Sequence, residues 1–248
     1  MRKLITIFIF FSVFNLSAQD IKAYGISLDS VKVWTQKHPK YFEYLKSKLL
    51  KKDVKISQEE MFMLYYGSAF VKGYSPKKES RAVEQVTQLI NEFLYPEAIA
   101  QGKELLKQYP VNSRLYMLLG YAYKKENQKE LSKFYYKRFA DILKIPLHSG
   151  DGKTYEKAYI VRNFSDEYLI LNQNDWELSQ QRLGYHQKFP FDEMKVMRKG
   201  NKHKLYFNIY LPFFIGENRT FSQELQHGIE VYKIDTAQYK RKKFFKNK

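Results

Sequence analysis

Pro146 divides the chain between two hydrophobic periodicities, and that break limits the fold more than any other feature. From Asp29 to Ile145 apolar residues recur at helical spacing. Asp29 and Ser30 can cap a short helix carrying Val33 and Trp34, Pro39 interrupts it, and Tyr41, Tyr44, Leu45 and Leu49 continue a second. Ser57 stands three residues before Glu60, the spacing of a capping box, ahead of Met61, Leu64 and Tyr65. Further helices are predicted near 80–94, 97–108, 113–125 and 128–144, with Pro96 at a first helical position. After Pro146 the segments AYIVRNF, EYLILN, EMKVM and KLYFNIYLPF are rich in β-branched and aromatic residues, with turn formers such as Asn163 to Asp166 and Gly200-Asn201 between them. Leu205, Phe207, Ile209 and Leu211 fall on one face of a strand. The fold class that follows is α+β: antiparallel helical hairpins, then a C-terminal antiparallel β-sheet with one buried face.

The first residues read as a leader. Arg2 and Lys3 precede an apolar run from Leu4 to Phe11 that continues past Ser12 to Phe14, closed by the small residues Ser17 and Ala18. The run is shorter than the roughly 20 residues a spanning helix needs, so cleavage after Ala18 and export to the periplasm or beyond are expected. The expected organisation is a leader at 1–18, a helical repeat-like part at 19–146, a β-rich part at 147–238 and a basic tail at 239–248.

Net charge is +17, and +15 once Arg2 and Lys3 leave with the leader. A lysine-rich solvated surface explains most of that excess, and an anionic polymer or lipid could answer the rest. An exported protein has no natural access to nucleic acid, which is therefore not an expected partner. The chain has no cysteine, which excludes thiol nucleophiles, disulfides and thiolate metal sites.

Gly152-Lys153-Thr154 imitates a phosphate-binding loop, but the first glycine of that motif would be residue 147, which is Leu147. The context is reversed as well, running from helix to strand, so no helix N-terminus would face the phosphates. His38, His148, His186, His203 and His227 form no zinc-ligand spacing. No catalytic residue, metal ligand or cofactor site is assigned. His148 and Asp151 are neighbours on a Gly-rich loop and supply the only local carboxylate–histidine pair, the basis of a hydrolase alternative at the helix–sheet junction. Asp166-Glu167 and Asp192-Glu193 are expected at turns or strand starts as solvated carboxylates. Asn218-Arg219-Thr220 fits an N-glycosylation acceptor, and Asp29-Ser30-Val31 and Asp235-Thr236-Ala237 fit a short O-glycosylation pattern.

Tyr116, Leu119, Gly120 and Tyr123 stand at the spacing that opens a tetratricopeptide repeat, with Tyr for Trp at the first position. Ser132 and Tyr136 follow at the small and aromatic positions, and Ala98 and Pro110 fit the second half of a preceding unit. Residues 96–146 therefore resemble about one and a half repeats. The resemblance implies a concave face carrying Arg114, Met117, Tyr121, Lys124 and Lys125, suited to an acidic or C-terminal carboxylate segment of another envelope protein. The alternative surface is the tail, where Lys240, Arg241, Lys242 and Lys243 precede Phe244 and Phe245 and could lie on an anionic polymer or lipid.

Four segments taken together, LYYGSAF from Leu64, YSP from Tyr74, SGDGKTYEKAYIV from Ser149 and KLYFNIYLPF from Lys204, are similar to a family of secreted Bacteroidota proteins known as domain of unknown function forty-nine nineteen. That resemblance implies export and architecture for most of the chain, and no mechanism.

Overall fold

The computed structural model describes residues 20–220 together with 222 and 223. It is an α+β fold. A two-stranded ribbon, β1 (Lys22–Ala23) with β2 (Ile26–Ser27), leads into α1 (Leu28–Lys37), α2 (Pro39–Leu50) and α3 (Gln58–Gly67). A 3₁₀ turn (Ser68–Phe70) follows, then four helices in two hairpins: α4 (Pro76–Asn91), α5 (Tyr95–Gln108), α6 (Ser113–Lys125) and α7 (Lys129–Leu147). The capping box is present, Ser57 Oγ accepting from Glu60 N at 3.1 Å while Ser57 N donates to Glu60 at 2.9 Å. Among the described residues no helix is long and apolar enough to cross a membrane.

Small residues set the spacing of the hairpins. A Cβ on Gly102 would lie 2.8 Å from Leu119, and one on Gly120 would lie 3.0 Å from the Tyr136 ring. Ser132 Oγ donates to the Gly120 carbonyl at 2.8 Å, so α7 crosses α6 at hydrogen-bonding distance from its backbone. Ala98 is wholly buried. These contacts let ridges seat deeply in facing grooves.

After α7 the chain runs through β3 (Tyr159–Ile160), α8 (Phe164–Gln173), β4 (Glu177–His186), β5 (Phe189–Arg198), β6 (Asn201–Asn208) and a π-helical turn (Leu211–Ile215). The sheet order is β3-β6-β5-β4. β4, β5 and β6 form an antiparallel meander, and the short β3 adds in parallel to β6. Two-residue turns join the meander, Gln187-Lys188 and Lys199-Gly200, all four residues with positive φ as type I′ turns require. A bulge between Leu178 and Gln180 returns Leu178 to the buried face opposite Val196.

Four readings of the sequence are corrected here. The segment EYLILN, expected as a strand, belongs to α8. Asn163 caps that helix, accepting from Ser165 N at 3.0 Å, and Asp166 and Glu167 occupy its first turn, where a carboxylate favours helix. Asn163 to Asp166 is thus a helix start rather than a turn. Helix α7 also runs through Pro146 to Leu147. The expected face of Leu205, Phe207 and Ile209 is buried as read, whereas Leu211 has left the strand and packs into the helical core.

The loop after α7 has the shape of a connection and not of a phosphate cradle. Gly152 takes φ +70 with the Tyr159 ring against it, and a Cβ on Gly150 would lie 2.2 Å from the Lys157 carbonyl oxygen and 2.6 Å from that of Ala158. Backbone cannot swing aside as a side chain can, so Gly150→Ala is expected to cost about 1–3 kcal/mol, read as a lower urea midpoint at unchanged slope.

Candidate functional site

The helices and the sheet are joined by a buried polar staple. Arg162 follows β3 and pairs with Glu79 of α4, both almost wholly buried. Glu79 also accepts from Asn112 Nδ2 at 2.6 Å, while Asn112 Oδ1 caps α6 by accepting from Leu115 N at 2.8 Å. Tyr65 of α3 donates to Asp166 at 2.7 Å and accepts from Arg162 N at 3.1 Å. Tyr74 donates to the Arg162 carbonyl, with the guanidinium 5.6 Å from its ring centre, and Tyr66 donates to the Ile160 carbonyl at 3.1 Å. Burial pushes Asp166 up to about 6, and Arg162 and Tyr65 hold it from rising further.

Beside the staple lies a cavity of about 560 Å³. Lys77, Ser80 and Arg81 of α4 form one wall, and Phe164, Glu167 and Tyr168 of α8 another. Gln181, Leu183 and Asp192 come from the sheet, and Ile209, Phe213, Glu217 and Arg219 from the chain after β6. The volume is in the range of small-molecule sites. Phe164, Leu183, Ile209 and Phe213 give apolar walls, while Lys77 and Arg81 are exposed at the rim.

The floor holds an acid pair. Asp192 is placed on the inner face of β5 with Met194 and Val196, opposite Leu183 on β4 and Phe207 on β6. It accepts from Gln181 Nε2, whose Oε1 accepts from Tyr168 at 2.7 Å. Glu167 on α8 is 0% exposed, and neither of its oxygens receives a hydrogen bond from a donor among the described residues. It faces Asp192 at hydrogen-bonding distance. Two carboxylates can bond each other only if one is protonated, so these observations agree when Glu167 keeps its proton and donates it to Asp192. Burial, and then the charge of Asp192, push Glu167 well above the usual carboxylate range. Burial raises Asp192 to about 6, with the Gln181 and Glu167 hydrogen bonds opposing the rise.

The expectation of solvated carboxylates at Asp166, Glu167, Asp192 and Glu193 is therefore corrected: all four are buried. Glu193 points to the opposite face, where it accepts from Tyr155 at 2.6 Å and from Arg182 at 2.5 Å. The signal for Asp192 was present in the sequence, since Asp192, Met194 and Val196 share the period of a buried strand face. For Glu167 it was the Asn163 cap, which converts an apolar run into a helix and turns Glu167 inward.

A family profile described as domain of unknown function (DUF4919) matches residues 30–213. The chain belongs to the DUF4919 family. No curated protein and no solved structure matches it. The acid pair and the staple fall within the DUF4919 match, and Glu217 and Arg219 of the cleft lie just past it. The segments that carried the resemblance are structural in this fold. LYYGSAF supplies Tyr65 and Tyr66, and YSP supplies Tyr74 with the Ser75 cap of α4.

The other sequence-predicted residues lie elsewhere. Arg114 is committed to Glu84 at 3.1 Å and to Thr87 at 3.0 Å. Met117 packs against the core beneath the sheet. Tyr121 is half-buried with its ring 6.2 Å from that of Tyr95, Lys125 stands 5.4 Å over it, and Lys124 is exposed. His148 is exposed at the end of α7, and Asp151 accepts from Lys153 N at 2.9 Å; neither lines the cleft. Lys240, Arg241, Lys242 and Lys243, the leader and Asp235-Thr236-Ala237 lie outside the described residues.

Proposed function

We propose that this DUF4919 protein is an exported, non-enzymatic binding protein whose cleft holds a small amphipathic molecule. One observation carries the reading: a 560 Å³ cavity with apolar walls, a basic rim and a carboxylic acid pair in its floor. Polar groups at two depths with apolar surface between them fix orientation as well as affinity. Binding is favoured over catalysis because both Glu167 oxygens are shielded from water, so Glu167 is not placed to activate a water nucleophile. In this proposal the leader at 1–18 directs export and the helical hairpins form a tetratricopeptide-like scaffold that props the cleft open. The test is native mass spectrometry of the exported protein beside a Ser80→Trp variant, in which the indole fills the cleft. Added small-molecule mass on the parent alone is expected, on a chain beginning at Gln19. The same added mass on parent and variant, or none on either, would remove the reading.

A second reading, docking of an acidic partner segment on the helices, is favoured by Phe93. This residue is 74% exposed at φ +63, a backbone position where glycine is usual, and its ring meets Tyr95 next to Tyr121. Phe93→Gly is expected to stabilise the fold by about 0.5–1 kcal/mol, so the aromatic is held there against a stability cost. Partner capture that survives Phe93→Gly and the Tyr121→Ala, Lys124→Ala pair would leave this surface idle.

A further inference from the structure

We propose that the cleft's ligand is a zwitterion with an apolar body, its ammonium end seated on Glu167 and Asp192 and its anionic end on Lys77 and Arg81. This rests on the cleft reading and names its ligand class. Three observations combine. The pocket has apolar walls, and its charged lining groups divide into buried ones, Glu167 and Asp192, and exposed ones, Lys77 and Arg81. Its deep end carries two carboxylates whose only donor among the described residues is Gln181, directed at Asp192. Its rim carries exposed cations on the first two turns of α4.

Every charged group facing the pair fits this arrangement. On α8, Asp166 is already bonded to Tyr65 and belongs to the staple with Arg162. On the sheet, Gln181 supplies one neutral donor. Across the mouth stand Lys77, Arg81, and Arg219 with Glu217, the last two paired at 3.3 Å. Among the described residues no cation reaches Glu167, whose surroundings are burial, Asp192 and Asp166. The pair therefore holds a proton where a ligand ammonium, with three N–H donors, would satisfy more oxygens. Rotation about the last torsion of Glu167 turns its oxygens toward the cleft, and that torsion is soft. The exchange balances: the ammonium arrives with one positive charge, the shared proton leaves to solvent, and both carboxylates become ionised. A purely cationic ligand would meet repulsion at the rim, and a purely anionic one would leave the floor unanswered.

The probes are 8-aminooctanoate, octanoate and octylamine, titrated calorimetrically into the full exported chain at pH 7 in two buffers of different ionisation enthalpy. 8-Aminooctanoate is expected to bind at least about tenfold more tightly than either partner and to release about one proton. Glu167→Gln should abolish the proton release and the preference over octanoate, while Arg81→Ala should abolish the preference over octylamine. Octanoate binding as tightly as 8-aminooctanoate would overturn the proposal and leave the cleft reading standing. If none of the three binds, or if Ser80→Trp binds them equally well, both fall.

Discussion

Arg162→Met is expected to destabilise the fold by about 3–5 kcal/mol, more than half the total stability of an ordinary domain at the low end of the usual range. The cost comes from what is left behind. Glu79 would remain buried with Asn112 as its one hydrogen-bond donor, and the ring face of Tyr74 would lose the guanidinium against it. Converting the partner as well, with Glu79→Gln, leaves Asn112 a neutral acceptor and should recover at least half of the loss. Urea denaturation of the two single variants and the double variant measures this directly. A loss below about 1 kcal/mol for Arg162→Met would mean that the helices and sheet are held by apolar contact alone.

Glu167→Gln is expected to stabilise the protein at pH 8 by about 2 kcal/mol, the usual cost of a buried polar group left without its hydrogen bond, a rise of roughly 4–8 °C in midpoint temperature for a chain of this size. An amide supplies permanently the donor that Glu167 provides only while protonated. The pH dependence follows from the direction of the shifts. Asp192 and Asp166 titrate at about 6 in the folded protein and at about 3.9 when unfolded. A raised acid binds more protons folded than unfolded, so its stabilisation is complete below about 3.9 and is lost as pH climbs through about 6. Glu167 acts with the same sign and extends the loss to higher pH. The carboxylates shifted downward, Glu59, Glu60, Glu130, Glu156 and Glu193, act below the usual carboxylate range and govern only the acid limb. The parent protein should therefore melt higher near pH 5 than at pH 8, and Glu167→Gln should flatten that slope. An unchanged slope in the variant would place the pH dependence elsewhere.

The helical half was legible because its signals are local. Capping at Ser57 and Pro96 at a helix start act within one turn, and the small residues at 120 and 132 act between helices adjacent in the chain. The meander was legible where apolar residues alternate, as at Leu205, Phe207 and Ile209. The run from Tyr168 to Asn172 was not, because a short apolar segment carries no period of its own and only Asn163 decides it. The tetratricopeptide spacing located a hairpin correctly but drew attention to a face whose Arg114 is tied down and whose Met117 is covered. The cleft was hidden for a different reason. Its lining comes from α4, α8, the sheet and the chain after β6, and although the strand period at Asp192 and the Asn163 cap before Glu167 mark each as inward-facing, nothing local brings the two carboxylates, 25 residues apart, to one floor.

The central claim is that Glu167 remains protonated at neutral pH beneath the cleft. Carbon-13 NMR of the side-chain carboxyl, assigned by difference against Glu167→Gln, reads this directly. The account predicts a Glu167 resonance at its protonated position at pH 7, moving only well above the ordinary range. A resonance already at the ionised position at pH 7, titrating near 4.3 like a free glutamate, would contradict it.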